Sequence, residues 1–128
     1  MNGIVYDTSK VGFEAVLRLW QLRTLQVLWS SPEGAKSLTV WMKVNKMLEG
    51  ETISRASIIN CLEAMREMGI LKGEEKSGKG GYHWIYYPAM EEAGFRGFIV
   101  EKMIATLMGS FPEETREAIK RAYRVALS

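Results

Sequence analysis

The stretch Ile53–Leu71, ISRASIINCLEAMREMGIL, constrains this chain more than any other part of it. Ser54 suits the N-cap of a helix, because its hydroxyl can accept a bond from a first-turn amide that has no partner within the helix. Ile58, Cys61, Leu62 and Met65 then recur at spacings of three and four, which gathers apolar groups on one helical face. Gly69 offers the backbone freedom at which a helix can stop, and Ile70-Leu71 leads into a segment of different period. A helix is therefore predicted over Arg55–Met68. One side is locked to a core, and the other presents Arg55, Ala56, Ile59, Asn60 and Glu63.

The flanking sequence places this helix in a larger pattern. Phe13, Val16, Leu17, Trp20, Leu25, Leu28 and Trp29 have helical spacing, so a first helix is predicted from about Ser9 to Trp29, capped by Asp7, Thr8 or Ser9 and ended by Pro32 and Gly34. A second helix is predicted over Leu38–Leu48, with Ser37 as its cap, a stripe of Val40, Trp41, Val44, Met47 and Leu48, and Gly50 just beyond. After Gly69, the aromatic and β-branched run Tyr82–Tyr87 reads as a strand, and the glycine-rich Ser77–Gly81 before it as the turn of a β-hairpin. Ala89–Ser128 reads as two further helices, with Pro112 opening the second and Glu113 and Glu114 in its first turn. The expected fold is mainly α with a small β-hairpin, a winged helix-turn-helix followed by C-terminal dimerisation helices. The domains are expected at 1–88 and 89–128.

Composition sets the outer limits. One domain, or one domain with an appendage, fits 128 residues. No run approaches the roughly 20 apolar residues of a membrane span, and Met1–Lys10 carries no secretory hydrophobic segment. A cytoplasmic protein with no membrane partner is expected. The single cysteine, Cys61, cannot form an internal disulfide and is expected in the core. With one histidine, one cysteine, no phosphate-binding loop and no metalloprotease or dinucleotide motif, an enzyme is not expected, nor a cofactor, nor a metal site. The net charge of +2 is spread along the chain without a basic tail, so any nucleic-acid surface depends on folding to sort charges onto one face.

The helix at Arg55–Met68 has the layout of a DNA-recognition helix, whose first turns must project into the major groove while the far side stays in the core. Arg55 can reach guanine O6/N7 or a phosphate, Asn60 can pair with adenine, and Ile59 can touch a thymine methyl. Ser54 and Ser57 can donate to phosphates. In the hairpin tip, Lys76 and Lys79 among glycines can approach a phosphate closely. The plainer alternative is that Ser54 only caps, Arg55 and Asn60 are only solvated, and the tip is an ordinary exposed loop. Tyr82, Trp84 and Tyr86 could form a stacking platform, but packing of one hairpin face on the helices is the simpler account. Phe95, Phe98, Ile99, Met103 and Leu107 offer a surface for twofold dimerisation, or else for packing near Trp20.

Four runs, LQVLW at Leu25–Trp29, ISRASI at Ile53–Ile58, LEAMREMGIL at Leu62–Leu71 and YHWIYYP at Tyr82–Pro88, resemble winged-helix regulators of the penicillinase-repressor (BlaI/MecI/CopY) type, and less closely the MarR and GbsR types. The resemblance covers about half the chain. It implies a homodimeric repressor bound to a pseudo-palindromic operator, reading double-stranded DNA through Ser54–Asn60 and pairing through its C-terminal helices. The chain departs from that family in lacking cysteines after Cys61, which argues against copper sensing. It also lacks the Asn-Phe pair in the tail at which penicillinase repressors are cleaved. Two other classes stay open. One is a winged helix that binds protein, favoured by the near-neutral charge. The other is a regulator that senses a small-molecule effector in a pocket lined by Trp20, Trp41, Tyr82 and Trp84.

Overall fold

In the computed structural model, which describes residues 5–78 and 81–127, the chain divides into two units, Met1–Glu92 and Ala93–Ser128. The first contains a 3-10 turn at Gly12–Ala15, α1 (Leu19–Trp29), β1 (Ala35–Lys36), α2 (Ser37–Met47), α3 (Arg55–Glu67), β2 (Leu71–Gly78) and β3 (Gly81–Pro88). The three strands form one antiparallel sheet in the order β1-β3-β2. This is the winged-helix fold, mostly helical with a small sheet. Bonds from the Ala89 amide to the Ile70 carbonyl and from Trp29 Nε1 to the Met90 carbonyl, each 3.0 Å, tie the residues just after the hairpin to this unit. The second unit is helical, with α4 (Glu92–Ser110) starting at the boundary and α5 (Pro112–Leu127) following.

The core of the first unit collects the apolar face of each helix. Leu25 and Leu28 of α1, Val40 and Val44 of α2, and Ile58, Cys61, Leu62 and Met65 of α3 are buried, with Ile70, Leu71 and Tyr86 from the hairpin. Gln21 and Thr24 are also fully buried, at tolerable cost because each is bonded: Gln21 Oε1 accepts from the Arg18 amide at 2.8 Å, and Thr24 Oγ1 donates to the Trp20 carbonyl at 2.8 Å.

Two helix starts differ from the sequence reading. The single helix expected over Ser9–Trp29 is broken, and only Leu19–Trp29 is α-helical. Gly12 takes φ +65°, and Asp7 Oδ1 accepts bonds from the Ser9 amide and hydroxyl at 2.9 and 2.6 Å. The Val5 and Asp7 amides donate back to the carbonyls of Val16 and Ala15. These bonds hold Asp7–Val16 in a folded loop, so the apolar spacing of Phe13, Val16 and Leu17 reflects burial rather than one continuous helix. Ser37, expected as the α2 cap, is instead the first helical residue. Lys36 occupies the cap position because it is held extended in β1, opposite Ile85. β1 itself is too short and too weakly patterned to be read from sequence. The chain reaches it through Gly34 at φ +90°, directly beneath the Ile85 and Tyr87 side chains.

Cys61 lies in the core with its Sγ 3.8 Å from Met65 Sδ. Burial pushes its thiol up to about 12. The thiol is fully buried and its reactive thiolate scarce at pH 8, so Ellman's reagent should modify the native protein far more slowly than a free thiol. Full reactivity should appear on unfolding in guanidinium. A native rate near that of a free thiol would mean this core opens readily. Among the described residues, no helix is long and apolar enough to cross a membrane.

Candidate nucleic-acid interface

α3 begins as the sequence reading expects. Ser54 is extended, and its Oγ accepts from the Ser57 amide at 3.1 Å. The Ser54 hydroxyl also donates to Ser57 Oγ at 2.9 Å. Ser54, Arg55, Ala56, Ile59 and Asn60 are exposed, while Ser57 is half-buried. Since Ile58, Cys61, Leu62 and Met65 are in the core, the first two turns present a guanidinium, an amide and a branched alkyl group on one free face. The other end is closed by a Schellman motif. The Gly69 amide donates to the Arg66 carbonyl at 3.0 Å and the Ile70 amide to the Met65 carbonyl at 2.9 Å, with Gly69 at φ +82°.

The N-terminus of α3 is held in place by two residues of α2 that sequence reasoning did not assign to the site. Asn45 Oδ1 accepts from the Ile53 amide at 2.8 Å, and Nδ2 donates to the carbonyls of Trp41 (2.9 Å) and Ile53 (3.2 Å). Trp41 Nε1 donates to the same Ile53 carbonyl at 2.8 Å. Both groups of the Ile53 peptide, immediately before the cap, are thus bonded to α2 side chains. The available signal was an asparagine four residues after a tryptophan, on the half-buried side of a short helix. A polar amide in such a place needs backbone partners.

Glu63, expected to be exposed, is half-buried and engaged. Arg66 Nε donates to it at 2.9 Å and the Tyr86 hydroxyl at 3.0 Å. The Arg66 guanidinium, helped by the Tyr86 bond, holds the Glu63 carboxyl below the usual carboxylate range. Burial, then the bond to Glu63, pushes the Tyr86 hydroxyl up to about 12. Arg66 also lies over the Trp84 ring, 5.2 Å from its centroid. A Cβ on Gly73 would come within 2.8 Å of Arg66 Cδ and 3.0 Å of the Trp84 ring, so Gly73 makes room for this stack. Solvent reaches both partners, so the pair adds little stability. Its consequence is geometric, because it braces the middle of α3 against the hairpin.

The hairpin pairs in uninterrupted register from Leu71↔Pro88 to Gly78↔Gly81. Of the strand face Tyr82, Trp84 and Tyr86, only Tyr86 is buried, while Tyr82 is 78% and Trp84 38% exposed. The simpler packing account thus applies at the base of the hairpin, and the face opens toward its tip. Lys76 is exposed, with Nζ 3.8 Å from Glu74 Oε2, which also accepts from the Tyr87 hydroxyl at 3.2 Å. Lys79 lies outside the described residues. Lys36, Lys43 and Lys46 are further exposed cations that the sequence reading did not single out.

In the second unit, Phe95 and Ile99 are buried within the single chain, Phe98 and Met103 are half-buried and Leu107 is exposed. Of the five residues expected to form a pairing surface, Phe95 and Ile99 are therefore covered within the single chain.

No protein-family model matches this chain, and no curated protein matches its sequence. Among solved structures, the chain is similar to one described as a possible transcriptional regulator from Methanosarcina mazei Go1. The TM-score is 0.57 and the identity 14%, and the match covers 91% of this chain and 98% of that one. At that identity the likeness concerns the fold.

Proposed function

We propose that this protein is a sequence-specific DNA-binding transcriptional regulator, acting as a homodimeric repressor on a pseudo-palindromic operator in the cytoplasm. The observation that carries the reading is the free face of α3. Arg55, Ile59 and Asn60 stand exposed on the first two turns of a capped helix whose opposite face is core and whose entry is held by Asn45 and Trp41. A rigid helix with a projecting N-terminal half is what base reading in the major groove requires. Arg55 is assigned to guanine or phosphate, Asn60 to adenine, Ile59 to a thymine methyl, and Ser54 and Ser57 to the backbone. Lys76 and Lys79 of the wing are assigned to flanking phosphates. The winged-helix region carries this activity, and the helices after it supply the dimer.

Fluorescence anisotropy with duplex DNA tests the reading. Affinity for random duplex should fall steeply with salt, with a log–log slope of several units. A dimer loses two contacts per substitution, so Arg55→Ala should weaken binding about 100-fold at fixed salt while the fold persists. Lys79→Ala should weaken binding less and reduce the salt slope. Unchanged affinity in Arg55→Ala would refute this docking. No binding at low salt would favour a protein partner, in keeping with the modest net charge.

A further inference from the structure

We infer that Tyr82, with Ser77 opposite it, is the surface by which the wing packs on the DNA backbone, a contact without charge beside the lysines of the tip. This rests on the DNA-binding reading proposed above and names the side of the hairpin that meets the duplex.

The register sorts the hairpin into two faces. Gly73↔Tyr86, Glu75↔Trp84 and Ser77↔Tyr82 lie on one, and Lys72↔Tyr87, Glu74↔Ile85 and Lys76↔His83 on the other. The first is turned to α3. There the Tyr86 hydroxyl donates to Glu63, Arg66 lies over the Trp84 ring, and a Cβ on Gly73 would strike Arg66 Cδ. The second is turned away from α3. Ile85 and Tyr87 sit over Gly34, and Tyr87 and Lys76 both approach Glu74.

Along the first face, cover is lost step by step toward the tip. Tyr86 is buried and bonded to α3, Trp84 is partly covered, and Tyr82 stands mostly in solvent. The fold therefore uses the first two aromatic rings and leaves the third available. Because Tyr86 and Trp84 are held to α3, Tyr82 keeps a fixed position relative to the helix and needs little ordering on binding.

Distance indicates what this ring meets. An antiparallel strand rises about 3.4 Å per residue, so Tyr82 lies about 14 Å outward from Tyr86 and its bond to Glu63. The major groove is about 12 Å wide. With α3 in the groove, Tyr82 reaches the sugar–phosphate wall rather than the base edges. A phenol suits that place, since its ring packs on deoxyribose and its hydroxyl donates to a phosphate oxygen. The exposed Ser77 hydroxyl adds a second donor on the same face. Lys76 and His83 lie on the far face, where the flexible Lys76 can supply charge but not a packing surface.

Fluorescence anisotropy with a random-sequence duplex at low salt tests the assignment. Tyr82→Ala should weaken binding about tenfold or more, and Tyr82→Phe, which loses only the hydroxyl, by less. In both, the log–log salt slope should stay at the wild-type value, because a phenol displaces no counterion, whereas loss of Lys79 lowers the slope. His83→Ala, on the face turned from α3, should bind as wild type does. Tyr82 is exposed, so the circular dichroism spectrum should not change. Full affinity in Tyr82→Ala overturns the inference and leaves the DNA-binding reading intact. So does a lowered salt slope in Tyr82→Ala, or a loss in His83→Ala as large as in Tyr82→Ala. Absence of wild-type binding at low salt overturns both.

Discussion

Gly34→Ala is expected to lower the unfolding free energy by about 2–4 kcal/mol, a large part of the roughly 5–15 kcal/mol that stabilises a domain. Two costs combine. Gly34 has φ +90°, which a residue with a Cβ adopts only at a penalty of about 1 kcal/mol or more. The new Cβ would also sit 2.6 Å from Ile85 Cγ2 and 2.6 Å from Tyr87 Cε1, closer than carbon atoms can approach, and relieving such overpacking costs about 1–3 kcal/mol. Both neighbours belong to β3, which also carries the wing, so they cannot retreat without disturbing its pairing with β1 and β2. Thermal unfolding followed by circular dichroism should show a drop of about 10–20 °C.

Gly50→Ala is the control. Gly50 has φ +72°, but a Cβ there meets nothing within 4 Å, so only the conformational penalty of about 1 kcal/mol applies. Equal losses in the two variants would show that the close approach beneath Ile85 and Tyr87 does not matter.

Asn45→Ala should cost about 2–3 kcal/mol of stability and weaken DNA binding, although Asn45 is not assigned a DNA contact. The substitution removes three hydrogen bonds, each contributing about 1 kcal/mol. Trp41 Nε1 still holds the Ile53 carbonyl, but the Ile53 amide loses its partner. The peptide that delivers Ser54 to the cap position is then free to shift, and the α3 face is no longer held at a fixed angle. Binding contacts are sensitive to displacements of about half an ångström to an ångström, so an affinity loss of about tenfold or more is expected under conditions where the variant remains folded. Asn45→Asp separates the roles of the two side-chain atoms. It keeps an acceptor for the Ile53 amide but sets a carboxylate oxygen against the Trp41 and Ile53 carbonyls, so it should be destabilised as alanine is although the amide keeps its partner. Full affinity in folded Asn45→Ala would mean that Trp41 and the Ser54 cap orient α3 unaided.

Much of this architecture is legible in one dimension because its causes are local. The cap at Ser54, the core face Ile58–Met65 and the stop at Gly69 each depend on residues within a turn of one another, and the structure shows all three. The hairpin was legible for the same reason, since a glycine-rich turn beside an aromatic, β-branched run commits the chain to pairing with its own neighbour. The exposed face Arg55–Asn60 follows from those elements, because a helix buried along one stripe must present the other.

The remainder was settled between segments distant in sequence. Ala35–Lys36 becomes a strand only because Tyr86 and Ile85 offer it an edge, and nothing in two such residues announces pairing. Asn45 becomes the clamp on α3 only because the helix-turn-helix angle brings it to Ile53. Glu63 leaves solvent because Tyr86 and Arg66 converge on it. The apolar spacing before Trp20 predicts helix, yet backbone bonds between Val5–Asp7 and Ala15–Val16 replace the helical ladder there. Periodicity reports which side chains avoid water, and that preference is carried in the order of the residues. Which backbone groups then bond, and which polar side chains are drawn in to satisfy them, depends on what the fold brings within about 3 Å, and that is a property of three dimensions.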